Sequence, residues 1–141
     1  MKSFTFKQNR ILKLRKQQVV MAEHDVARAT SEVSLSKTAV EKHFSHIDEL
    51  DKQLYRRRPD ITHISSMSVN LRRRLEEARM QLAEKEQLLE RAIDRLRRAS
   101  QAVEALTVLE TRQRNKHTRK QLGREQAIID SYSTSKWANE G

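Results

Sequence analysis

The chain has 141 residues, of which 36% are hydrophobic and 34% charged, with two glycines, one proline and no cysteine. So few turn formers and only six aromatic side chains exclude a large globular core with many tight connections. The missing cysteine excludes disulfides and thiolate metal sites, and the formal charge of +10 points to an acidic partner.

Residues 1–7 read as a short lead-in that opens into charged helix and not into the apolar core of a signal peptide. The first helix is predicted over residues 8–57. Its signature is an apolar residue at every seventh position: Leu12, Val19, Val26, Val33, Val40, Ile47 and Leu54. Such a repeat buries a narrow seam against another helix and supercoils left-handedly with it. The companion column is Arg15, Ala22, Ala29, Ser36, His43 and Leu50, small and partly polar. The seam is expected to tighten towards the break, where Phe44, Ile47, Leu50, Leu54 and Tyr55 cluster.

Pro59 disfavours helix at the residue before it, and a turn is predicted over 58–66. Asp60, Thr62, Ser65 and Ser66 all suit the helix N-cap that follows, and the sequence does not choose among them. The second helix is predicted over 67–130. Its seam is Leu75, Leu82, Leu89, Leu96 and Val103, with Leu71, Ala78, Lys85, Ala92, Ala99 and Leu106 beside it. From about residue 110 the apolar repeat fails, since residues 110–121 contain no apolar member. Gly123 weakens the helix by about 1 kcal/mol relative to alanine. Residues 131–141 are expected as a flexible tail.

Two long amphipathic helices around one short break predict an all-α fold, a long antiparallel two-helix coiled-coil hairpin in one domain. Folding at Pro59 sets Leu12 level with about Leu106, so the second helix overhangs the first. It also joins two basic runs at the open end. One is Lys2, Lys7, Arg10, Lys13, Arg15 and Lys16; the other is Arg112, Arg114, Lys116, Arg119, Lys120 and Arg124. That pole is the expected docking surface. A second basic cluster, Arg56–Arg58 with Arg72–Arg74, reads more simply as solvated helix ends.

Catalytic signatures are missing from the sequence. There is no glycine-rich phosphate loop, and His43 and His46 share a helix face without the further ligands a metal site needs. The reading is therefore not an enzyme, with no cofactor and no metal. No segment approaches the roughly 20 apolar residues of a membrane span, which predicts a soluble, cytoplasmic protein. The basic run over 7–16 lacks the Asn and Ala pattern of a basic zipper. No aromatics interleave the cations for base stacking, so nucleic acid is a disfavoured partner.

Phe4-Thr5-Phe6 followed by Ile11-Leu12-Lys13-Leu14-Arg15 resembles the opening of the FliJ family. So do Val108-Leu109-Glu110-Thr111-Arg112-Gln113 and the later Gly123-Arg124-Glu125-Gln126-Ala127-Ile128-Ile129-Asp130, which resemble its C-terminal pattern. The YscO group of virulence-type secretion systems shares the plan. The resemblance implies an antiparallel coiled coil similar to the stalk of rotary ATPases. It implies insertion of the chain ends into a hexameric export ATPase ring, contact with the export gate's membrane protein and handling of substrate chaperones. The place implied is the cytoplasm, peripheral to the inner face of the cell membrane through the export apparatus. Carried onto this chain, the ring-facing end is residues 7–22 and 106–130, and the export-gate contact falls at Met67, Leu71 and Leu75. Two other readings stand beside it: a coiled-coil scaffold or secretion chaperone that binds along its side, and a basic helical protein that binds nucleic acid.

Overall fold

The structure, a computed structural model, describes residues 3–57 and 61–140, with the side chains of residue 57 and of 61–65 and 138–140 left aside. It consists of two helices, α1 (Asn9–Arg57) and α2 (Ile61–Glu140), with no strand among the described residues. The chain divides into two units. One contains Val19–Arg98; the other combines Met1–Gln18 with Ala99–Gly141.

In the unit of residues 19–98 the two helices form an antiparallel hairpin along the heptad seam. Val33 and Leu75 are buried, while Val19, Val26, Val40, Ile47, Leu54, Leu82, Leu89 and Leu96 are half-buried. Among the small companions Ala22 and Ala78 are buried as well, and Ala92 is only 1% exposed. Alanine at these positions lets the helices approach closely, at the cost of burying little apolar area. Enlarging one of them forces the helices apart: Ala92→Leu is expected to lower stability by about 2 kcal/mol in a thermal melt. Lys85 meets Glu32 across the seam at 3.1 Å, both side chains more than a third exposed. These residues lie 27 positions before and 26 after Pro59, so the helices pair in the register that folding at that proline predicts. The pair is partly solvated and contributes at most about 1 kcal/mol.

The cluster expected near the break is only partly formed. Ile47, Leu50 and Leu54 face inward, but Phe44 is exposed and Tyr55 is 93% exposed. Each sits one residue past a seam position, His43 and Leu54, and a helix turns by over a quarter revolution per residue. The His43 ring is half-buried, its Nδ1 sealed from solvent with no hydrogen-bond partner.

Two helix boundaries differ from the sequence reading. The expected turn covered 58–66, yet α2 is under way at Ile61; Arg58, Pro59 and the cap candidate Asp60 lie outside the described residues. Thr62, Ser65 and Ser66 are thus inside the helix. Serine and threonine cost only a few tenths of a kcal/mol there, too little to delay a helix that has no further proline to avoid. At the other end, residues 131–140, expected as a flexible tail, are helical. No glycine or proline interrupts the chain between Gly123 and Gly141, so an already nucleated helix propagates. Thr134 Oγ1 donates to Asp130 O at 2.8 Å, holding its hydroxyl on the helix backbone. Gly123 also lies within α2, and a Cβ added there would meet nothing within 4 Å. Gly123→Ala should therefore slow amide exchange through residues 120–130, stabilising that stretch by up to about 1 kcal/mol.

Among the described residues no helix is long and apolar enough to cross a membrane.

Candidate docking pole

The second unit brings residues 3–18 together with the part of α2 that begins at Ala99. Residues 3–8 are not helical. Asn9 N donates to Phe6 O at 3.1 Å, and Leu12 N to Gln8 O at 2.9 Å in the first bond of α1. Phe6 is 6% exposed and Leu12 4%, the two most enclosed side chains at this end of the chain. The Phe4 ring lies 5.7 Å from the His117 ring, tilted by 48°. The Arg114 guanidinium stands 5.2 Å from the same Phe4 ring and donates through Nη2 to Glu110 Oε1 at 3.2 Å. Phe4 thus holds an arginine by cation–π attraction while a carboxylate one turn earlier holds its other side.

The sequence pattern assigns the lead-in no packing partner and ends the apolar seam at about Val103–Leu109. The structure carries the seam further. Ala99, Val103, Leu106, Glu110, Gln113 and His117 are all half-buried, at the same three- and four-residue steps as the apolar seam before them. The heptad continues; only its apolar chemistry stops. Residues 3–6 have no regular structure and 7–8 form a turn. A non-helical chain is not held to the roughly 1.5 Å rise per residue of a helix, so a few lead-in residues can cover a longer stretch of α2. Phe4 reaches His117 for that reason, eleven residues beyond Leu106. One signal for this was present: Phe4 and Phe6 are two apart, the spacing that puts both on one side of an extended chain.

Gln8 Oε1 and His117 Nε2 are sealed from solvent without hydrogen-bond partners. Such atoms weaken a contact, and they lie at the least apolar part of the seam.

The predicted basic residues Lys7, Arg10, Lys13, Arg15, Lys16, Arg112, Arg114, Lys116, Arg119, Lys120 and Arg124 all fall in this unit and are all exposed. Arg15, also placed in the seam's companion column, points outward and donates to Gln18 Oε1 at 3.1 Å. Residues 1–18 and 99–141 contain thirteen Lys and Arg against five Asp and Glu, a formal +8; the 80 residues between them contain sixteen against fourteen, +2. Nearly all the net charge of the chain therefore belongs to this unit, a charge that suits carboxylates or phosphates.

Met67, Leu71 and Leu75 belong to the other unit. Leu75 is buried in the seam, whereas Met67 and Leu71 line a shallow groove with His46, Glu49, Leu50 and Gln53. The structure brings none of these three to the basic pole. Arg72, Arg73 and Arg74 are exposed, and Arg73 donates to Asn70 Oδ1 at 3.2 Å. Among the described residues no group of three His, Cys, Asp or Glu side chains gathers at metal-binding distance.

Compared with known proteins, the chain matches no family model, no curated protein and no solved structure.

Proposed function

We propose that this chain is the stalk or coupling protein of a flagellar-type (type III) protein export apparatus, or its YscO-type counterpart in an injectisome. It docks by its basic pole in the centre of a hexameric export ATPase and raises that enzyme's turnover, while doing no chemistry itself. Its other partners are the export gate's membrane protein, met through Met67 and Leu71, and the substrate chaperones.

The observation that supports this reading is the joining of both chain ends in one unit that holds +8 of the +10 formal charge. A stalk needs a folded tip made of its termini, and an acidic pore selects a cationic one. The contact of Phe4 with His117 and Arg114 packs the N-terminal segment against α2 within that unit. The test is to titrate the protein into the purified export ATPase and follow phosphate release. Turnover should rise several-fold, and the rise should shrink as salt is raised, because it depends on exposed charges. Turnover that does not respond at any concentration removes the stalk reading.

The reading as a side-binding scaffold or export chaperone draws on a different observation. Leu35, Phe44, Met80 and Leu88 are exposed apolar side chains in the hairpin of residues 19–98. A scaffold that uses them would bind partners equally well after the pole's charges are reversed.

A further inference from the structure

Residues 122–137 of α2 are exposed along their whole length, yet they are not polar all round. Leu122, Glu125, Ile129, Tyr132 and Lys136 recur at steps of three and four, so they share one face. Leu122, Ile129 and Lys136 form one column of a short heptad; Glu125 and Tyr132 form the other. Leu122, Ile129 and Tyr132 are each more than half exposed, a row of large apolar side chains that the rest of the unit leaves uncovered.

The two charges on this face say what covers it. In an antiparallel helix pair, a residue of one column faces a residue of the partner's other column. When Ile129 is set against Tyr132 of a second copy, Lys136 falls against Glu125 of that copy. Two-fold symmetry then makes each contact twice. Sliding the pair by one heptad sets Ile129 against Glu125, a carboxylate beside an isoleucine with no cation to meet it. A parallel pair sets Lys136 on Lys136 and Glu125 on Glu125, which repel. The face is thus complementary to itself in one arrangement. The same arrangement carries residues 112–120 of each copy past the end of the other's helix, so the two strongly basic stretches stay apart.

We propose that a second copy of this chain packs antiparallel on this face, with Ile129 opposite Tyr132 and Glu125 paired with Lys136 across a two-fold axis. The inference rests on the C-terminal stretch of α2 alone and does not depend on the export reading.

The test is sedimentation velocity of the full chain over about a hundredfold range of concentration. The apparent mass should rise from 16.6 kDa towards twice that value. Glu125→Lys and Lys136→Glu should each raise the midpoint concentration about tenfold, since each sets like charges together. The double variant should return it to within about threefold of the original, a recovery that a general loss of structure would not produce. A mass that stays at that of one chain throughout overturns the proposal, as does a double variant no better than either single one. So does a monomer that leaves solution only with phosphatidylglycerol vesicles, because the face would then belong to lipid.

Discussion

Phe6→Ala should lower the stability of the pole by about 3 kcal/mol, among the largest single-residue losses in the chain. Phe6 is 6% exposed, in a unit whose seam otherwise turns from apolar to polar side chains past Leu106. The half-buried positions of α2 past Leu106 are Glu110, Gln113 and His117, which contribute little apolar burial, and the Phe4 ring meets the last of them. Removing one large ring therefore removes much of what ties the lead-in down. The expected signature is local. Amide exchange should accelerate in residues 9–14 and 106–117, while the hairpin of residues 19–98 keeps its protection. Phe4→Ala should do less, because the Phe4 ring is only half-buried and meets polar partners. Equal protection in the Phe6 variant and the parent would mean that the lead-in contributes nothing to the pole.

Reversing the pole's charge is the second large effect. Arg114 is a poor choice for it, since a glutamate there would lose the contact with Phe4 and face Glu110. Arg112, Lys116 and Lys120 are exposed and lie on the outer side of the same helix. Changing all three to glutamate takes the unit from a formal +8 to +2 while sparing the aromatic contact. Each reversal replaces a weak attraction to an acidic partner by a weak repulsion, about 1 kcal/mol apiece. Together they should raise the concentration for half-maximal stimulation of the export ATPase on the order of a hundredfold. The helical content of the variant should be that of the parent. Stimulation that survives the triple change, in a protein of unaltered helicity, would favour the side-binding scaffold.

The seam was the legible part of the fold. A strict seven-residue repeat needs only apolar side chains at fixed spacing, and Val33 and Leu75 are buried where it puts them. The register of Glu32 with Lys85 follows from one proline between two helices of matched pattern. What the repeat could not give was the contact at the open end. Glu110, Gln113 and His117 continue the spacing without its hydrophobicity, and His117 meets Phe4, a ring of a non-helical segment outside any heptad. Phe44 and Tyr55 misled for the converse reason. They are apolar and close to the seam in sequence, but one residue of helix rotation turns each away from it. The helix beyond residue 130 continues no long apolar seam that would announce it; it persists because no glycine or proline breaks it before Gly141. The basic residues of the pole were legible as charge, and their gathering in one unit follows from the chain's return.

That return is the point on which the account depends, and the chain's lack of cysteine makes it simple to measure. Gln17 and Gln101 are exposed residues of the same unit, one in each helix. A spin label at each, introduced as Gln17→Cys and Gln101→Cys, reports their separation by pulsed dipolar spectroscopy. The sample is diluted with unlabelled protein so that only distances within one chain are read. Adjacent helices lie about 8–10 Å apart, so a separation below about 30 Å between labels is the expected result. An unbroken helix would hold the same residues about 126 Å apart at 1.5 Å per residue, beyond the reach of the measurement. A distribution with no short component would contradict the hairpin, and the docking pole with it.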